Sequence, residues 1–246
     1  MNRAALSVIV CVVTAAAADL PSGESLMQKY IDRSGGADAY AKAKNVAMSG
    51  VVQMPAQNIS GTVEIYEEGE KSYTGMEFAG IGKIEEGYDG KNGWQNSVLQ
   101  GPRLLEGDEL VSAKRAAQLS VLTSWHDIYK SAETTGSEDI DGKPAWKVTM
   151  TPKEGMPETF YFDKDSGMLV RIAAVFSTAL GDISTDSTMA DFRQVEGILT
   201  PFVMTEKAMG QNIVLKFNRI GYNVTMPPGR FDMPEAVRAV AAKKKQ

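Results

Sequence analysis

The sequence predicts a mostly β fold, an antiparallel sheet with one apolar face accompanied by a few short helices. Three observations carry that prediction. From Asn45 onward, apolar residues recur at every second position rather than every third or fourth. The alternating runs are short and are separated by Gly, Asp and Asn turn signals. No strand–helix–strand rhythm and no phosphate-binding glycine pattern interrupts them, which argues against a nucleotide fold.

The chain opens on a different pattern. Arg3 supplies a positive charge, Ala4 to Val13 are almost wholly apolar, Thr14 to Ala18 are small, and Asp19 begins the polar sequence. That order is the signature of a secretory signal, and its apolar run is shorter than the about 20 residues of a spanning helix. The expected organisation is a cleaved signal over residues 1–18 and one domain over 19–246. The single cysteine, Cys11, lies within the apolar run and follows Val10 rather than a small residue, so it does not form a lipidation site. Disulfides and thiolate chemistry are thereby excluded from residues 19–246. A formal net charge of −5 argues against nucleic acid as a partner, and the basic run Lys243 to Lys245 is confined to the end of the chain.

Taken in order, Leu26, Met27, Tyr30 and Ile31 recur at helical spacing between Gly23 and Arg33, with Ser22 or Ser25 as the cap and Gly35-Gly36 as the stop. Ala37 to Lys44 can add a second short helix. Strands are expected over Asn45–Met54, Gly61–Glu67, Lys71–Ala79 and Lys83–Tyr88. Asp108 to Ser124 lacks glycine and proline and predicts a helix. Strand signals resume over Ala145–Thr151, Glu158–Asp163, Met168–Phe176, Ser184–Arg193, Ile198–Lys207 and Gln211–Tyr222, and Glu235–Lys243 predicts a terminal helix. A sheet of this kind must bury its apolar face against another layer or curl around something.

Three local motifs resemble the periplasmic lipoprotein-carrier superfamily. Gly87-Tyr88-Asp89-Gly90-Lys91-Asn92-Gly93-Trp94 is similar to its DG…W turn, Ala190 to Phe202 to its paired strands, and Met226 to Pro234 to its closing segment. The resemblance implies a strongly curved antiparallel sheet forming an incomplete (half) β-barrel with a helical lid. It also implies a periplasmic location, a concave face that takes a lipid, an acyl chain or an acylated lipoprotein, and an envelope membrane protein or lipoprotein as partner. An envelope protein-interaction or stress-sensing module on the same fold is the alternative, and an open apolar cavity would distinguish the carrier from it. Lys71 to Phe78 lacks the Arg-Pro pair of the true lipoprotein carriers, so that specific cargo does not carry over.

Catalytic chemistry finds little support. His126 is the only histidine, and its neighbour Asp127 is adjacent in sequence rather than placed for a relay. Asp139, Asp141, Asp163 and Asp165 match no calcium loop and read as turn formers. No enzyme activity, cofactor or metal is expected. The sequons at Asn58 and Asn223 are short patterns that arise by chance, and the resemblance to a bacterial superfamily implies that they are not glycosylated.

The candidate ligand-binding residues are apolar. Thirteen methionines are present, many of them in the expected strands. They either fill the core or form a deformable wall suited to alkyl chains. On the second reading Met48, Met54, Met76, Met150 and Met204 line the site, with Phe78, Trp94 and Trp146 as aromatic wall or rim. Trp94 has the further reading of a core anchor after the Asp89-Gly90 turn.

Overall fold

The computed structural model of the chain describes residues 20–98, 100–119, 122–178 and 181–244. The expected export signal over residues 1–18, with Cys11, lies outside the described residues. Two helices come first, α1 (Gly23–Ser34) and α2 (Ala37–Lys42). Six strands follow: β1 (Asn45–Met54), β2 (Ile59–Glu68), β3 (Lys71–Phe78), β4 (Gly82–Tyr88), β5 (Gly93–Ser97) and β6 (Gly101–Leu104). After α3 (Gly107–Ala116) and α4 (Trp125–Ile128) come β7 (Tyr129–Ile140), β8 (Lys143–Pro152), β9 (Glu158–Asp163) and β10 (Leu169–Thr178). The chain continues through β11 (Gly181–Val195), β12 (Ile198–Ala208) and β13 (Gln211–Tyr222) to α5 (Glu235–Lys243).

All the strands join one antiparallel sheet of 13, in the order β6-β5-β4-β3-β2-β1-β13-β12-β11-β10-β9-β8-β7. Each neighbour except the β1–β13 pair is a neighbour in sequence, so short turns fix the register almost everywhere. The pairing β1–β13 joins the two halves, with Val46 opposite Tyr222 and Val52 opposite Leu215.

This arrangement corrects the expected fold. The sheet is an open ladder with free edges at β6 and β7, and it is not strongly curled into a half-barrel. Period-two alternation fixes which face is apolar but not how far a sheet rolls, which depends on strand number and stagger. Between the two edge strands the chain forms α3 and α4 rather than a strand that could bridge them.

Local chemistry explains the elements. In α1 the Ser22 side chain accepts from the Ser25 amide at 3.1 Å, and Gly35 at φ 150° ends the helix. Leu26, Met27, Tyr30 and Ile31 are all buried, which places the apolar stripe against the sheet. They pack with Trp125, Met150, Phe160, Phe162 and Leu169 in one apolar cluster. A second cluster, around Val46, Val52, Val63, Phe78, Phe202 and Phe217, lies over the junction of the halves. A third joins Tyr73, Trp94, Phe231 and Val237, and through it α5 covers β5 and β6.

The Asp89-Gly90 turn works as its residues suggest. Asp89 Oδ1 accepts from the amides of Lys91 and Asn92 at 2.9 and 2.7 Å, and Gly90 takes φ 95°. Gly87 has a separate role. A Cβ there would lie 2.6 Å from Trp94 Cζ2, so only glycine lets the indole lie against β4. The helix expected over Asp108–Ser124 ends at Ala116, and Trp125 to Ile128 makes its own turn.

Candidate ligand cavity

The expected methionine wall is dispersed. Met150 is fully buried in the first cluster, and Trp146 packs on its margin under the Lys164 ammonium, 3.7 Å from the ring centroid. Met54, Met76, Phe78 and Met204 belong to the second cluster, and Trp94 is fully buried in the third. Met48 alone of these residues lines an apolar cavity against the sheet. That cavity has a volume of about 830 Å³ and lies between one face of the sheet and the helices α1, α2 and α3.

Its walls are mainly apolar. Val46 and Met48 come from β1, Leu119 and Leu122 from the segment after α3, and Ile172, Met189 and Leu199 from β10, β11 and β12. A cavity of this size is within the range of small-molecule sites, roughly 300–1,000 Å³. The sequence signal for several of these residues is weak. Leu119 and Leu122 sit beyond a helix that stops early, and Met189 follows a run of Ser, Thr and Asp.

Polar side chains interrupt the apolar lining in clusters on two sides. On one side Arg115 of α3 reaches Glu158 of β9, with Nη2 2.5 Å from Oε1. Tyr129 donates its hydroxyl to the other carboxylate oxygen at 2.7 Å. Both charged side chains are about nine-tenths covered, at 12% and 9% exposure. Burial and the neighbouring Glu158 push the Tyr129 hydroxyl far above its ordinary range. The second Arg115 nitrogen donates to the Glu154 carbonyl at 3.3 Å, so one guanidinium ties α3 to the far half of the sheet.

The other side is built from β1, β2, β12 and β13. Val46 pairs with Glu67 on one flank and with Tyr222 on the other, which puts all three side chains on one face. The Tyr222 and Thr200 hydroxyls lie 3.0 Å apart. Burial pushes Tyr222 up to about 12, against the lowering effect of that hydrogen bond. Glu67 has no hydrogen bond or ion pair among the described residues, and burial pushes its carboxyl up to about 7.

Residues raised as catalytic candidates lie elsewhere. His126 is exposed and stacks on Trp125, with ring centroids 3.7 Å apart. Asp163 accepts from the Ser166 amide and hydroxyl at 2.7 and 2.6 Å, and Asp139 accepts from the Gly142 amide at 2.7 Å, so both shape turns. No group of three or more metal-ligating side chains occurs among the described residues.

No protein-family model matches the chain, and no curated protein matches it. Solved structures do. A DUF1329 family protein from Desulfovibrio piger is similar over 87% of this chain and 98% of its own, with TM-score 0.57 and 15% identity. A LolA superfamily protein from Nitrosomonas europaea gives TM-score 0.56 and 13% identity, over 86% and 98% of the two chains. A Vibrio parahaemolyticus domain assigned to outer-membrane lipoprotein sorting gives 0.53 and 12%, over 85% and 96%. The chain shares its fold with these three proteins. At such identities the likeness is one of fold.

Proposed function

We propose that this chain is a non-catalytic periplasmic binding or carrier protein for a hydrophobic ligand, either a lipid or an acylated polypeptide. The observation that supports this reading is the 830 Å³ cavity, walled mainly by aliphatic side chains and methionines between the sheet and its helices. An apolar void of this size favours an alkyl guest over water. Each methylene moved into it contributes roughly 0.8 kcal/mol, so ten would contribute about 8 kcal/mol before ordering costs. The shared fold with lipoprotein-sorting-like proteins and the signal-like N-terminal sequence point the same way. Met189 and Met48 on the walls suit chains of varied shape, because unbranched thioethers repack readily.

The test is direct. Delipidated protein is mixed with envelope lipid extract, repurified without detergent, and examined by native mass spectrometry. Retention of about one lipid per chain is expected. Recovery of no lipid, together with no enhancement of a neutral fluorescent hydrophobe, would overturn the carrier reading and favour the protein-interaction module.

A further inference from the structure

Glu67 is half-buried and stands apart from the other buried or half-buried carboxylates among the described residues. Glu158 is satisfied by Arg115 and Tyr129, Asp163 by Ser166, and Glu85 by Lys83, Tyr73 and Asn96. Glu67 has none of these devices, yet it lines an apolar cavity. Glu206 is half-buried and its carboxyl is likewise pushed up, but it does not line that cavity. Even a half-buried carboxyl with no partner costs stability unless something supplies one. No described residue does so. Arg115 is already held by Glu158 and the Glu154 carbonyl, and Lys44 is exposed, with its ammonium donating to the Ala41 carbonyl at 2.9 Å.

The surroundings narrow what would satisfy it. Tyr222 stands beyond Val46 on the same row; the Thr200 hydroxyl donates to the Ile198 carbonyl at 3.4 Å and the Tyr222 hydroxyl can then donate to Thr200, which leaves the Tyr222 oxygen's lone pairs free to accept. The Glu67 side of the cavity therefore offers a carboxylate and neutral hydroxyl oxygens, all acceptors, beside an apolar wall. An ammonium group carries three donors and no acceptor, which complements that set. A carboxylate or phosphate head would instead meet Glu67 as a like charge.

Building on the binding-protein reading, we propose that the cavity takes an alkyl amphiphile with a primary ammonium head, seated with the ammonium on Glu67 and the chain along Met48, Leu122 and Met189. Protons then compete with the ammonium for the same carboxylate. The other titratable or charged groups lining the cavity are Tyr30 of α1, Tyr40 of α2, Lys44 after it and Tyr222 of β13, with Arg115, Tyr129 and Glu158 on the far side, and Glu196 between β11 and β12 acts on Tyr222. Burial pushes Tyr30 and Tyr222 up, so both stay neutral, and Arg115 is neutralised by Glu158.

The experiment is displacement of N-phenyl-1-naphthylamine, a dye uncharged at the pH values used, by decylamine, decanol and decanoate. Near pH 8, decylamine should displace the dye at a concentration about tenfold below that of decanol, with decanoate the weakest. The preference for decylamine over decanol should shrink severalfold near pH 5 and fall to about one in Glu67→Gln. Equal displacement by decylamine and decanol near pH 8 would overturn the ammonium assignment while leaving the cavity reading intact. Failure of the wild-type protein to bind the dye would overturn both. The pH comparison uses the wild-type chain, so the proposal remains testable even where the variant folds poorly.

Discussion

Replacing Glu67 by Gln in the ligand-free protein should change its stability in a pH-dependent way whose sign follows from burial. The carboxyl moves from an ordinary 4.5 in the unfolded chain to about 7 in the fold. The native state therefore holds its proton more tightly than the unfolded state does. The Glu67 contribution is most favourable below about pH 4.5, where both states are protonated, and is lost as pH rises through about 7. At about 1.4 kcal/mol per pH unit, the full loss is about 3 kcal/mol. The side chain keeps some access to the open cavity, which trims the expectation toward about 2 kcal/mol. Gln keeps the shape and cannot ionise. The stability difference between Glu67→Gln and wild type should therefore grow in favour of the variant by about 2–3 kcal/mol between about pH 4.5 and pH 8. Urea unfolding of both proteins, followed by tryptophan fluorescence and circular dichroism across that range, measures it, and other titrating groups cancel in the difference. A difference that stays flat to within about 0.5 kcal/mol would show that water solvates Glu67 freely, and the burial argument would fail.

Other perturbations read different parts of the molecule. Arg115→Met should cost about 3–5 kcal/mol in urea unfolding, because it strands Glu158 with Tyr129 as its sole side-chain donor, and a loss under about 1 kcal/mol would mean the pair is solvated. Gly87→Ala forces a methyl against Trp94 and should cost about 1–3 kcal/mol with a shift in tryptophan emission; unchanged stability and spectrum would refute that contact. Burial raises the Asp163 carboxyl, but the Ser166 hydroxyl and amide outweigh it and hold the group below its usual 3.8. Asp163→Ala should therefore cost about 2 kcal/mol near neutral pH, with the cost shrinking as acid protonates the wild-type carboxylate. Leu122→Trp should fill the cavity and weaken dye binding about tenfold or more, and full binding in a folded variant would place the guest elsewhere.

Much of the fold was legible because its strands alternate cleanly. Val46, Met48 and Val52 in β1 and Ile213, Leu215 and Phe217 in β13 announce their strands, and Ser22 with Gly35 brackets α1. The strands that escape prediction are at or near the edges. β7 reads Tyr-Lys-Ser-Ala-Glu-Thr-Thr-Gly-Ser-Glu-Asp-Ile, and an edge strand with exposed flanks has no apolar alternation to show. β5 and β6 have five and four residues, too few for a period to emerge. The Asp89-Gly90 turn was readable, whereas the need for glycine at 87 depends on an indole seven residues later folding back onto it.

The sequence by itself determined the β class, the order of most elements, the turn chemistry and the absence of cysteine from residues 19–246, because each follows from local pattern or composition. Tertiary structure decided how the sheet ends and what its apolar face encloses. Register across the β1–β13 junction sets Glu67 and Tyr222 on either side of Val46, although Glu67 and Tyr222 are far apart in sequence. The cavity wall likewise draws on Met48, Leu122, Ile172 and Met189 from separate parts of the chain. Each residue's periodicity says which way it faces in its own strand or segment. Which of those faces meet around a void, and which methionines merely fill the core, depends on pairings that no local pattern encodes.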